Sequence, residues 1–416
     1  MSEMRAQTFC PVGNLRDAQL TFPFPPQPGL DIEPEFARLR SEAPIVPVRL
    51  PEGIAWLVTR YEDIRAILTD HRFSRARAFE PGRPMIAARS EPDTNPLPNS
   101  TLIAMDSPHH SRIRALVARE FTVRRVERLR DGAEKILAKL LDNLAAGPRP
   151  TDFVSEVARR LPALVAGDLL GVSESDRETF RDWVRTLLNI NCVSPEEGVA
   201  AAVNLADYVR VLVERRHRHP SDDLIGALVR AHDDEDRLTD DELVSFGMVL
   251  LLAGFETVAD QMAISVFLLL TTNGHYGQLR DNPELVPTAV EELVRFAPPT
   301  AGTLMPYVAT ADVEIGGVTI REGDTVVLSN ISANRDPAAF AAADQLDLAR
   351  TPNPHLGFGH GAHHCLGAQL ARMQLRVLLT MLPQRFPELT LAVPTGAVPW
   401  KKGMFTRGPE ELLITW

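Results

Sequence analysis

Between Leu243 and Thr272 the chain runs through its most apolar stretch, interrupted near the middle by Glu256, Asp260 and Gln261. Twenty or so apolar residues are enough to cross a bilayer, but lipid tolerates carboxylates at mid-depth poorly. The segment therefore reads as a helix buried inside protein. It opens with Thr239-Asp-Asp-Glu242, the spacing of a capping box, which sets the helix start near residue 240. Continued to residue 271, it would reach roughly 48 Å at 1.5 Å per residue. An element of that length crosses a whole domain, so the rest of the chain must be built around it.

The surroundings read as mainly helical with a minor β part. From about Ser107 to Ala297 apolar positions recur three and four apart, as at Ile136, Leu137, Leu140, Leu141 and Leu144. Tyr61–Thr69 reads as a further helix, and a last one runs from about Leu366 to Leu382. Strand candidates are Ile45–Val48, Ala55–Thr59, Val313–Ile320 and Thr325–Leu328. Residues 1–30 contain Phe22-Pro-Phe-Pro-Pro-Gln-Pro28 and read as an irregular arm. Residues 74–104 hold five prolines and little periodicity; a loop that long inside a compact domain tends to be functional, such as a lid. Length alone would suggest two or three domains. No linker supports that division, so residues 31–416 read as one domain.

Composition narrows the partners. A net charge of −11 argues against general nucleic-acid binding, which needs a basic footprint. The three cysteines, Cys10, Cys192 and Cys365, are odd in number and far apart, so no disulfide framework is implied and a cytoplasmic setting fits. No basic segment followed by an apolar core stands at the N-terminus, so neither a secretory signal nor a membrane anchor is expected.

The strongest local signal is Phe358-Gly-His-Gly361-Ala-His363-His-Cys365-Leu-Gly367. Glycines at 357, 359 and 361 make a side-chain-poor turn that would let backbone approach a flat ligand. Cys365 stands just before a helix, where the dipole and free N–H groups favour thiolate, the metal-binding form. Gly367 leaves room beside the sulfur and Phe358 could shield it. A haem-thiolate site satisfies all of these features, but three other readings compete. Cys365 could be a buried small hydrophobe, the usual fate of a free cysteine. His360, His363, His364 and Cys365 could hold zinc, although four ligands in six residues match no common finger spacing. Gly357-x-Gly359-x-x-Ala362 satisfies a loose dinucleotide fingerprint, but follows no clear strand and lacks its βαβ unit.

With these residues in view the sequence resembles the cytochrome P-450 family in its soluble bacterial form. Phe358, Gly361, Cys365 and Gly367 meet the Phe-x-x-Gly-x-x-x-Cys-x-Gly signature. Ala253-Gly254-Phe-Glu256-Thr257 resembles the family's oxygen-activation motif, and Glu292-Leu-Val-Arg295 matches Glu-x-x-Arg, with Arg350 as third member of the triad. Met105-Asp-Ser-Pro-His-His110-Ser-Arg-Ile-Arg114 resembles the start of the helix that touches the haem edge. Asn334-Arg-Asp-Pro337 and Asn353–Phe358 add further matches. The motifs fall in the expected order and cover nearly everything from residue 30 onward.

The resemblance implies the family's fold, with the long helix across the distal face of haem b and the cysteine loop on the proximal face. Cys365 is then the iron ligand, whose electron donation favours O–O cleavage. Ala253 and Gly254 open a distal groove, and Glu256 and Thr257 supply an acid and an alcohol for proton delivery, the acid connected to solvent. The bland alternative is that Thr257 only bonds back to a helix carbonyl. Glu292, Arg295 and Arg350 form a buried structural ion network. His110, Arg114 and His363 hold the propionates, while Phe358 and Gly367 line the proximal side. The family usually places another propionate arginine on the strand after the Glu-x-x-Arg helix. Here that position holds Tyr307, so one propionate is held differently.

The expected activity is dioxygen-dependent hydroxylation or epoxidation of a hydrophobic small molecule in secondary metabolism. Electrons would come from NAD(P)H through a ferredoxin reductase and a ferredoxin, since no flavin or nicotinamide domain is visible. Seven arginines against two glutamates between Ser111 and Arg130 read either as a solvated face or as a dock for that acidic carrier. Val249, Thr300, Leu304, Met404 and Phe405 are candidate pocket residues, each equally readable as core. Oxidative cyclisation, C–C or C–N coupling, or peroxide-driven oxidation on the same scaffold is the alternative; a haem sensor or non-catalytic partner is the third reading.

Overall fold

The computed structural model describes the chain except for residues 1–14, 16–17, 26, 28, 87–100, 173–175, 189–193, 222, 236–237, 301–304 and 403–405. Helices dominate. Five of them bound the site: α1 (His109–Ala118), α2 (Asp240–Gly254), α3 (Glu256–Thr271), α4 (Val286–Phe296) and α5 (Ala368–Arg385). The apolar stretch begins as its sequence implied. Glu242 N–H donates to Thr239 Oγ1 at 3.1 Å, and Thr239 N–H donates to Glu242 Oε2 at 2.9 Å. It is not one continuous helix, however.

At Phe255 (φ −120°, ψ −45°) α2 ends and α3 begins. Gly254 carries no side chain to stiffen the turn, and the Thr257 hydroxyl donates to the Ala253 carbonyl at 2.8 Å. Threonine bonding back four residues bends helices. The segment is long and apolar enough to cross a membrane, yet 72% of its most apolar window is buried inside the protein. From Val258 through Leu269 every residue of α3 is buried.

The β part is small. One six-stranded sheet runs in the spatial order Leu20–Thr21, Ile45–Leu50, Gly53–Val58, Thr325–Leu328, Tyr307–Ala309, Phe73–Ser74. The expected irregular arm thus contributes a short strand, which pairs in parallel with Val48 and Arg49. It stops short of Pro47, which has no N–H to offer a ladder. At the far edge Phe73 pairs with Ala309 and Ser74 with Val308, carrying the chain at residue 75 up to Tyr307. The expected strand Val313–Ile320 is a hairpin of Val313–Ile315 and Val318–Ile320, folded at Gly316-Gly317.

Candidate active site

The cysteine loop is shaped by what it must avoid as much as by what it touches. Gly361 has φ +68°, and a Cβ there would lie 2.1 Å from the Leu68 carbonyl oxygen, so only glycine fits. Cys365 N–H donates to the Phe358 carbonyl at 2.8 Å, closing the loop just ahead of α5. Arg114 of α1 reaches across and donates to the His364 carbonyl, tying α1 to the cysteine side of the site. Phe358 is overlaid by the Arg372 guanidinium, 4.4 Å from its ring centre.

Cys365, Phe358, Gly367, His363 and Arg114 line one cavity of about 370 Å³ with Val249, Ala253, Gly254, Thr257 and Thr300. The open surface of Cys365 faces that cavity. The sequence suggested a thiol acidified by a helix terminus; here the balance tips the other way. Burial pushes the Cys365 thiol up, against the pull of the Gly367 N–H, Arg114 and Arg372. A metal cation on the sulfur reverses that balance, because coordination removes the proton.

At the cavity edge Arg75, His110, Arg114 and His363 converge. The His110 and His363 rings lie 4.3 Å apart. Burial, then Arg75, His110 and Arg114, push His363 down to about 3, and burial with Arg114 also lowers His110. His110 Nε2 and Arg75 Nε are buried without a partner. Among the described residues no carboxylate pairs with any of these four side chains. Asp106, the nearest acid in sequence, accepts from the Ser74 hydroxyl at 2.5 Å and from the Arg75 and Ala76 N–H groups at 2.8 and 3.3 Å. Donors left unpaired in a buried cluster call for an anion.

On two sides the cavity is walled by glycines, Gly254 and Gly367, at each of which an added Cβ would meet nothing within 4 Å. A flat group bearing carboxylates at one edge and accepting a sulfur ligand on one face fits these walls. Haem has that chemistry.

Behind the cysteine loop the expected ion network is assembled. Arg295 Nε and Nη2 donate to Glu292 Oε2 and Oε1 at 2.7 and 2.8 Å, and Arg350 Nε donates to Oε2 at 3.0 Å. Asn353 Nδ2 and the Asp347 N–H complete the carboxylate, while Arg295 also donates to the carbonyls of Asn334, Ala343 and Gln345. A neighbouring pair escaped the sequence reading: Arg372 donates twice to Glu291, at 2.8 Å each, with His355 at 3.1 Å. Glu291 pays for burial, but those partners hold its carboxyl down at about 2.

On the other side Thr257 lines the cavity while Glu256 is not part of its wall. Nor is Glu256 open to solvent, as expected of a proton-relay acid. It is fully buried, and Lys401 Nζ donates to Glu256 Oε1 at 2.5 Å and to Asp260 Oδ1 at 2.6 Å. Burial raises Asp260 to about 6, with Lys401 opposing and Glu256 reinforcing the shift. Nothing in the spacing around Lys401 signals this contact, which joins residues 145 positions apart. Leu304, Met404, Phe405, Cys10 and Cys192 lie outside the described residues.

A mainly helical fold that sets a cysteine loop across a slot from a broken helix with an alcohol at its bend defines an oxygenase of the haem-thiolate kind. The model of the family Cytochrome P450 matches residues 35–412. Nocardicin C N-oxygenase of Nocardia uniformis subsp. tsuyamanensis is 49% identical over 400 residues, covering 95% of this chain and 98% of that protein. Mycinamicin IV hydroxylase/epoxidase of Micromonospora griseorubida is 45% identical over 397 residues, with the same coverage of 95% and 98%. The solved structure of HinD with NMFT and NO superposes with a TM-score of 0.90 at 44% identity, over 96% of this chain and all (100%) of that one. The chain belongs to the cytochrome P450 family and is a monooxygenase acting on a small molecule. Membership implies a haem iron cofactor.

Proposed function

We propose that residues 31–416 form one catalytic domain that binds haem b through Cys365 and inserts oxygen, by hydroxylation or epoxidation, into a hydrophobic secondary metabolite. Cys365 facing the same cavity as Thr257, between two glycine walls and beside a cationic edge, carries this reading. When bound, the haem iron supplies two-electron activation of dioxygen, favoured by its thiolate ligand. Everything else falls to the chain. His110, Arg114 and His363 hold the carboxylate edge, and Phe358 keeps water from the sulfur. Val249 and Thr300, with Leu102, Leu169 and Phe246, make an apolar wall that selects a hydrophobic substrate.

Thr257 sits at the helix bend with its hydroxyl donating to the Ala253 carbonyl, and is the last residue of the chain to hold a proton before the reacting centre. Glu256, adjacent in the chain and held by Lys401, serves as the acid behind it. Exposed Arg119, Arg124 and Arg128 carry no ion pair among the described residues, whereas Arg125 and Arg130 are paired to Glu120 and Glu127. That exposed trio, on the chain segment following α1, fits an acidic ferredoxin fed from NAD(P)H by its reductase in the cytoplasm.

The reduced protein under carbon monoxide tests the reading: it should show a strongly red-shifted Soret band, and Cys365→Ala should abolish it while circular dichroism keeps its helical signature. A Cys365→Ala protein with an unchanged band overturns the assignment. Turnover under labelled dioxygen separates insertion from coupling, since only insertion carries label into product.

A further inference from the structure

The strand position at Tyr307 offers no positive charge, yet the cavity edge beside it is cationic. The charge arrives from the neighbouring strand. The antiparallel register of Phe73 with Ala309 and Ser74 with Val308 brings Arg75 to Tyr307. Arg75 Nη2 donates to Tyr307 Oη at 2.8 Å, and its guanidinium carbon lies 4.2 Å from the ring centre. Tyr307 is itself buried at 3% exposure, so the ring is a fixed platform. Asp106 pins the backbone beneath, accepting from the Arg75 N–H at 2.8 Å. Backbone and side chain are thus each held, and Nε remains buried with no acceptor while the residue lines the cavity.

We infer that Arg75, aimed by Tyr307, is an anchor for one haem carboxylate beside His110, Arg114 and His363, a role that no sequence motif gives to Arg75. The inference rests on the haem-thiolate reading above. Arginine suits the task because its planar fork pairs with a carboxylate through two parallel hydrogen bonds and stays charged when buried. Tyr307 acts at one remove, as a positioning residue: its hydroxyl takes one guanidinium N–H and its ring face takes the charge, which leaves Nε for the anion. Arg114 is already spent in part on the His364 carbonyl, whereas Arg75 Nε has no acceptor, so Arg75 carries much of the edge's available charge.

The test uses the haem-loaded full chain and two readouts independent of turnover: haem transfer to excess apomyoglobin, and the midpoint potential for iron reduction. Losing one charge-assisted pair should speed haem loss about tenfold in Arg75→Leu. Its potential should fall, because a positive charge that favours the added electron is gone. Arg75→Lys, which keeps charge but not the fork, should hold its potential near that of the parent and still lose haem faster. Tyr307→Phe should show a smaller acceleration, and Tyr307→Arg in the Arg75→Leu background should recover both readouts. Parent-like haem loss and potential in Arg75→Leu would overturn the inference, as would failure of Tyr307→Arg to restore either. A parent protein that binds haem without the red-shifted band would instead count against the thiolate reading, leaving Arg75 to be judged on its own data.

Discussion

Two groups of buried charge flank the cavity, and they are built on opposite principles. Behind the cysteine loop, Glu292 meets Arg295, Arg350, Asn353 and a backbone N–H, so both its oxygens are satisfied and cations outnumber the anion. Across the cavity, two carboxylates share the single ammonium of Lys401, and Glu256 Oε2 and Asp260 Oδ2 are left without partners. A fully paired network fixes structure. An underpaired one with excess negative charge can accept a proton at little structural cost, as the raised Asp260 shows. The first group backs the loop that carries Cys365; the second stands behind Thr257, at the bend proposed above for proton delivery.

The contrast fails if the two groups respond alike to loss of their cation. Arg295→Leu should have the largest effect, because it takes from a wholly buried carboxylate the cation that donates to both its oxygens and leaves three carbonyls without their donor: about 3–5 kcal/mol of stability, with poor haem retention. Denaturant unfolding and the ratio of haem to protein absorbance would measure it. Lys401→Met should cost less, since Asp260, already raised to about 6, can take up a proton when the ammonium is gone. Its penalty should grow from pH 5 to pH 8, whereas that of Arg295→Leu should stay level, and unfolding midpoints across that range would tell them apart.

The smallest effect sharpens the comparison most. Asp260 has a folded-state pKa of about 6 against an ordinary 3.8, so the folded protein binds the extra proton. Its contribution is fully present below 3.8 and is lost as pH rises through about 6. Asp260→Asn should remove that slope and leave a flatter stability profile over the same window. An unaltered slope would place the titration elsewhere.

How legible each region was follows from the range of its contacts. The Glu292–Arg295 pair lies within one turn of α4, and the cysteine loop is contiguous, so both are written locally. Helix α2 was legible to its cap because Thr239 and Glu242 are three apart. The break at Phe255 was not, since an isolated glycine such as Gly254 is tolerated inside a helical run and only the Thr257 back-bond and its neighbours decide otherwise. Lys401 and Arg75 were invisible for a different reason. Their partners lie 145 and 232 positions away, brought close by the fold alone. Tyr307 was the one local hint, a missing charge whose replacement only the sheet register reveals.

The break at Phe255 also divides labour along what would otherwise be one rigid rod. Upstream, α2 supplies Phe246, Val249 and Ala253 to the apolar wall; downstream, α3 carries both carboxylates in fully enclosed packing. A substitution on α2 can therefore reshape the apolar wall while the acids keep their station. Substrate range and proton supply become separately adjustable, so one chain design can admit new molecules without rebuilding its chemistry.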